Sequence, residues 1–276
     1  HFTDRRQRQM CIRDRLLWKK DLTPPGEKRG EIFGGGLTLG QDQLFVTLSY
    51  GFVLSLDPRT GEKKWSHRLS GAGNTVPVFD DGLVYLVSGD SKAWAISANN
   101  GRIKWKIDAI GNDTNLISNN APATSKKYAV FGFGNGEIYT TFKKGGYVLW
   151  SSSLSGRNDG RVISAIDDIV ASPVIVGRNV FVADGSGKVV SLKVESGDRN
   201  WTAPFGSSGN LWVAGKSLFF ISNTNHLVRL KIKTGDVVWM TELPSFSNKR
   251  FGGSKKIIRH YGPIIAGNRI VLASSD

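Results

Sequence analysis

The sequence is poor in the residues from which redox, disulfide and metal sites are built. It holds one cysteine, Cys11, two methionines and four histidines in 276 residues. A single cysteine excludes an intrachain disulfide framework and a cysteine-based zinc site. Scarcity of cysteine is compatible with an oxidising compartment without requiring one. No apolar run approaches the roughly 20 residues of a membrane-spanning helix. His67, His226 and His260 stand far apart, without metal-ligand spacing, and read as strand or loop residues. No G-x-G-x-x-G or Walker lysine–serine pattern leads into a helix, so Gly34-Gly35-Gly36 is not read as a phosphate cradle.

The first fifteen residues are set aside. Arg5 to Arg15 back-translates to DNA resembling the transposase adapter used to build sequencing libraries, so residues 1–15 are expected to be non-native. That segment contains Cys11, five arginines and two aspartates. Subtracting from 37 basic and 23 acidic side chains leaves 32 and 21, a net charge of +11.

What the chain does contain is glycine and tryptophan in a fixed frame. Ser55-Leu56-Asp57-Pro58-Arg59-Thr60-Gly61-Glu62-Lys63-Lys64-Trp65 reads as a strand end, a tight turn and the start of a strand closing on tryptophan. The frame returns at Ala95 to Trp105, Thr140 to Trp150, Ser191 to Trp201 and Arg229 to Trp239. Each copy has glycine four residues before the tryptophan: Gly61, Gly101, Gly146, Gly197 and Gly235. With 33 glycines in 276 residues a given tryptophan has about a 12 % chance of that neighbour, so five of eight is a repeat. Tryptophan intervals of 40, 45, 51 and 38 residues, each holding several short strands, are propeller-blade periods.

The fourth copy predicts strands at 173–176, 180–183, 188–194 and 199–205, separated by Gly/Asn/Asp turns of hairpin length. Strands apolar on both faces fit blades packed between neighbours, and each tryptophan is expected to fill a seam between blades. Gly34-Gly35-Gly36 is then a close approach of backbones near the propeller axis. Leu16–Leu22 is expected as the last strand of a blade, and Gly262 to Leu272 as the first two strands of another. Residues 16–276 are thus expected to form one all-β domain, a β-propeller of four-stranded blades cut at both ends.

Connections after the tryptophans are unequal. From tryptophan to the next blade-opening proline the chain needs 12 residues (Trp65 to Pro77), 17 (Trp105 to Pro122), 23 (Trp150 to Pro173) and 24 (Trp239 to Pro263). They occupy equivalent places and leave one face of the disc, and enlarged loops on a rigid scaffold are where binding residues concentrate. The first holds Leu116 and Ile117, the second Asp167 and Asp168, and the third is basic, with Lys249, Arg250, Lys255, Lys256 and Arg259.

The repeat resembles the pyrroloquinoline-quinone-type propeller repeat. More narrowly, Phe33 to Asp276 resembles the BamB family of outer-membrane β-barrel assembly lipoproteins. The resemblance rests on Gly34-Gly35-Gly36, Ala121-Pro122-Ala123-Thr124, Gly134-Asn135-Gly136 and the acidic segment before Ser172-Pro173-Val174. It implies an eight-bladed propeller, about six blades of it present here, on the periplasmic face of the outer membrane. It further implies a lipid anchor as the sole link to the membrane, no cofactor, and no nucleic-acid partner. The implied partners are the periplasmic repeats of the barrel-inserting subunit and unfolded outer-membrane proteins. Leu116 matches a leucine of the family's Leu-x-Leu-Arg pattern, with Thr114 at the first leucine and Ile117 at the arginine. Asp168 matches the first carboxylate of an Asp-x-Asp pair whose second falls on Val170.

The alternative is a quinoprotein dehydrogenase, which shares the propeller and needs calcium ligands and a carboxylate base. Here Asp57, Glu62, Glu195, Asp198 and Asp236 sit in blade turns, so no catalytic or metal residue is expected. WD40 scaffolds place aspartate after the tryptophan, where this chain has Ser66, Lys106, Ser151, Thr202 and Met240.

Overall fold

A computed structural model describes residues 16–28, 34–109, 120–154, 171–185, 187–207, 209–246, 257–267 and 269–275. Every helix or strand among them is a strand. Five four-stranded antiparallel sheets follow one another, each meandering in chain order, and a two-stranded sheet ends the series. The first comprises Gly34–Gly40, Gln43–Leu48, Phe52–Leu56 and Lys63–Arg68. The second comprises Val78–Asp80, Leu83–Ser88, Lys92–Ser97 and Ile103–Asp108. The third comprises Ala123–Thr124, Tyr128–Gly132, Glu137–Phe142 and Val148–Ser153. The fourth comprises Val174–Val176, Asn179–Ala183, Val189–Lys193 and Arg199–Ala203, close to the spans expected from its sequence. Trp212–Ala214, Ser217–Ile221, His226–Lys231 and Val237–Glu242 form the fifth, and His260–Ala266 with Arg269–Ser274 the sixth.

The first strands of consecutive sheets lie against one another through all six, so they line an axis and the other strands radiate outward. This is the β-propeller. Gly35 and Gly36 belong to the innermost strand of the first sheet. A Cβ on Gly35 would stand 2.1 Å from the Gly73 carbonyl oxygen, and one on Gly36 2.5 Å from Val76 Cα. Near the axis there is room for backbone alone.

The turn before each tryptophan has one geometry. Gly61, Gly101, Gly146, Gly197 and Gly235 all have φ between 69° and 76°, the left-handed region. Each donates its N–H four residues back, as Gly61 does to Asp57 at 2.8 Å and Gly235 to Lys231 at 2.9 Å. In the first copy the Asp57 carboxylate also accepts the N–H groups of Arg59 and Thr60, and these bonds hold its pKa below the ordinary value. Every copy then shifts register by a bulge, between Ser55 and Leu56 in the first sheet, which brings Trp65 opposite Ser55.

That register aims each tryptophan at the following blade. Trp65 Nε1 donates to the Ala98 carbonyl at 2.7 Å, Trp105 to Lys143 at 2.9 Å, Trp150 to Val194 at 2.9 Å and Trp201 to Ile232 at 3.1 Å. Each acceptor lies three residues before the next glycine. The indole covers that glycine, where a Cβ would stand 2.5–2.8 Å from ring carbons. The apolar core is divided accordingly, with one cluster in each seam between consecutive complete sheets. Middle strands such as Leu83–Ser88 are buried on both faces, while outer strands such as Ile103–Asp108 alternate exposed and half-buried residues.

Two local expectations need correction. Leu16–Leu22 is not a strand: a strand exists by pairing, and none of the described residues pairs with it. It nevertheless lays Trp18 over Gly61, with Nε1 donating to the Pro58 carbonyl at 2.9 Å, as Trp65, Trp105, Trp150 and Trp201 do in their own seams. Pro263, expected to open its blade, lies inside His260–Ala266 at a register shift between Tyr261 and Ile264. A bulge tolerates the missing N–H there.

Candidate partner-docking face

In a four-stranded meander the link to the next blade and the hairpin between the second and third strands emerge on the same face. That face is built by the backbone before any side chain acts. After the first sheet, Leu69 donates to the Gly51 carbonyl of its own hairpin at 2.8 Å. The connection then runs between two hairpins, with Gly73 donating to Leu48 at 3.1 Å and Ala72 accepting from Gly89 at 2.8 Å. Phe205-Gly206-Ser207 repeats this between the fourth and fifth sheets, where Ser207 donates to Asp184 at 3.2 Å and Gly206 accepts from Asn223 at 2.9 Å.

The two long connections that the sequence singles out are rooted the same way. Ala109 donates to Ser91 at 3.0 Å before the first, and Leu154 to Gly136 at 3.1 Å before the second. Their returning ends meet, since Ala121 N–H donates to Ser172 Oγ at 2.9 Å across 51 residues of sequence. Leu116, Ile117 and Asp168 themselves lie outside the described residues, with Thr114 and Val170. So do Lys249, Arg250, Lys255 and Lys256, and residues 1–15. Arg259 is described, exposed, with its N–H bonded to Ser275 Oγ at 2.9 Å.

The stem of the third long connection closes by a bridge between Phe246 and Ile257, two exposed apolar residues. Beside it a cleft of about 720 Å3 opens between the fifth and sixth sheets, walled by Asn223, Asn225, Phe246, Ile257 and Tyr261. Sequence reading misses this cleft because its walls come from two blades.

One charged network fixes the face between the first two blades. The Asp90 carboxylate accepts from Ser88 and from Ser70 Oγ, and pairs with Lys92 Nζ. Burial pushes the Asp90 pKa up, but the bonds from Lys92, Ser70 and Ser88 outweigh it and hold the carboxyl below its ordinary value. Lys92 is correspondingly raised, chiefly by its bond to Asp90. Among the described residues no group of three His, Cys, Asp or Glu side chains is placed to hold a metal ion, and no helix is long and apolar enough to cross a membrane.

Comparison with known proteins gives this face its context. The family described as outer membrane protein assembly factor BamB matches residues 12–241. Among curated relatives, the assembly factor BamB of Moranella endobia is 24 % identical over 201 residues, covering 71 % of this chain and 52 % of the relative. The BamB of Bordetella pertussis is 25 % identical over 198 residues, covering 71 % and 49 %. The chain spans about half the length of the curated relatives it matches. Among solved structures, BamB from Moraxella catarrhalis superposes with a TM-score of 0.75 at 17 % identity, covering 88 % of this chain and 71 % of that one. Quinohemoprotein alcohol dehydrogenase from Comamonas testosteroni gives 0.65 at 14 % identity, covering 81 % and 45 %, a likeness of fold. From a match spanning most of its length, the chain belongs to the family of the outer membrane protein assembly factor BamB.

Proposed function

We propose that this propeller is a non-catalytic scaffold subunit of the outer-membrane β-barrel assembly machinery. It acts at the periplasmic face of the outer membrane, held there by a lipid anchor, and needs no cofactor. Its docking face binds the periplasmic repeats of the barrel-inserting subunit and helps deliver unfolded barrel proteins. The family match over residues 12–241 carries this reading. The geometry supports a docking role, because the returning ends of the first two long connections are tied together at Ala121 and Ser172 on a rigid scaffold. On this reading Leu116 supplies the apolar anchor and Asp168 the polar rim of an interface hot spot.

The test is the double variant Leu116→Ala with Asp168→Lys, assayed by pull-down of the cognate barrel-inserting subunit. Binding is expected to fall at least tenfold, about 1.4 kcal/mol, with the unfolding temperature unchanged. The Asp168 share should fade as salt rises and the Leu116 share should persist. Unaltered capture by a folded double variant would remove these loops from the interface. Quinone-dependent dye reduction by the protein supplied with calcium and quinone would instead establish the dehydrogenase reading.

A further inference from the structure

The seam between the second and third sheets departs from the repeat in three places that face one another. Strand register aligns Tyr85, which lies opposite Ala95 and through it Trp105, with Phe45 and Phe181 of the first and fourth sheets. The same register gives Val130 in the third sheet and Phe219 in the fifth. An apolar side chain therefore does the packing at this position, and the hydroxyl is an addition. Tyr85 is fully buried, with its ring 5.8 Å from Trp105, and its hydroxyl has no hydrogen-bond partner among the described residues.

The second departure is Lys143, three residues before Gly146, where the other copies carry Pro58, Ala98, Val194 and Ile232. Its side chain is buried and its ammonium donates across the seam to Asp80 at 2.6 Å. Asp80 is the third, ending its strand where Gly40, Val176 and Ala214 stand in other sheets. At this seam an ion pair and an unpaired hydroxyl stand where the counterparts just named are glycine or apolar, at a cost in stability.

A cleft of about 560 Å3 opens at this place, with Tyr85 in its wall and Lys126, Lys127 and Lys144 around it. These three lysines are exposed and form no ion pair among the described residues. Asp81, also in the wall, opposes them, while Lys143 and Asp80 neutralise each other, so the cleft is net positive. It lies at the strand turns opposite the docking face.

We propose that this cleft binds a phosphate-bearing anion, the Tyr85 hydroxyl donating to a phosphate oxygen while Lys126, Lys127 and Lys144 supply counter-charge. Phosphate has acceptor oxygens pointing several ways, which suits donors arriving from two sheets, and lysine binds it as a point charge. Burial, then the Asp80 and Asp81 charges, push the Tyr85 pKa upward, so the phenol keeps its proton and can donate.

The probes are sodium phosphate, titrated calorimetrically against chloride at matched ionic strength, and phosphatidylglycerol vesicles with phosphatidylcholine vesicles as control. Phosphate is expected to bind, and Tyr85→Phe and Lys144→Gln should each weaken it about tenfold, the scale of one charge-assisted hydrogen bond. Lys216→Gln, on the same face in the fifth sheet, should leave it unchanged. Tyr85→Phe should unfold at the same temperature or higher, since it removes a hydroxyl that lacks a partner. Vesicles that compete with phosphate would assign a lipid headgroup, and phosphate binding without vesicle binding a free or small-molecule phosphate; both support the site. Absence of binding to either probe, undiminished binding by Tyr85→Phe, equal loss with Lys216→Gln, or a lowered unfolding temperature in Tyr85→Phe would overturn it.

Discussion

Gly101 carries two constraints at once: its φ is 69°, and a Cβ there would stand 2.6 Å from Trp65 Cε3. Gly82 carries one, because its φ is 73° but nothing lies within 4 Å of where its Cβ would be. The pair separates backbone strain from seam packing. Gly82→Ala should cost about 1–2 kcal/mol, the left-handed penalty alone. Gly101→Ala adds overpacking against the indole, and its total should reach about 3 kcal/mol or more. Denaturant unfolding of both variants measures the difference, and equal losses would show that the indole yields freely. Trp105→Ala removes the ring from the other side of the next seam. Because that ring is half-buried, a loss of about 3 kcal/mol is expected, at the lower end for aromatic truncation.

At the scale of elements, each connection must be pinned to two hairpins, and the Asp90 network does this with a titrating group. A carboxyl held below its ordinary pKa of 3.8 stabilises the fold above that value. The contribution disappears as pH falls through the lower folded value. Lys92, raised above its ordinary 10.5, contributes fully below that value and is lost only as pH rises through its folded one. The network is therefore intact at neutral pH and fails first in acid. Asp90→Asn is expected to flatten the fall in stability measured by urea unfolding from about pH 7 to about pH 3. Parallel curves for variant and parent would show that the decline comes from other carboxyls.

Across the whole molecule the core is a series of seams, each holding its own apolar cluster, so stability is passed between neighbours. Trp105→Ala should then raise amide exchange mainly in the second and third sheets and leave Ser217–Ile221 protected. Uniformly raised exchange would mean that the blades open as one unit. The two faces also differ in construction. Connections threaded between hairpins form the face proposed for docking, and the opposite face is made of short turns with lysines concentrated between the second and third sheets.

What the sequence by itself determined was whatever depends on the nearest few residues and on the repeat. The turn before Trp65 was legible because Asp57, Pro58 and Gly61 each impose a local backbone preference, and the strands of the fourth blade because Gly/Asn/Asp turns bound short apolar runs. The grouping of strands into blades followed from the period. Tertiary structure alone decided which partners meet across a seam. Trp65 finds Ala98 33 residues away, Lys143 finds Asp80 at 63, and Ala121 finds Ser172 at 51. It also decided that Leu16–Leu22 is no strand, since pairing is a property of two segments. Tyr85 shows the division most plainly: the apolar run Leu83–Ser88 marks a core strand, as the run around Phe45 does, but only the packed seam brings Tyr85 into one cleft wall with lysines of the neighbouring sheet. Local preference is set by covalent geometry within a turn, whereas a seam exists only after two blades have each formed and stacked.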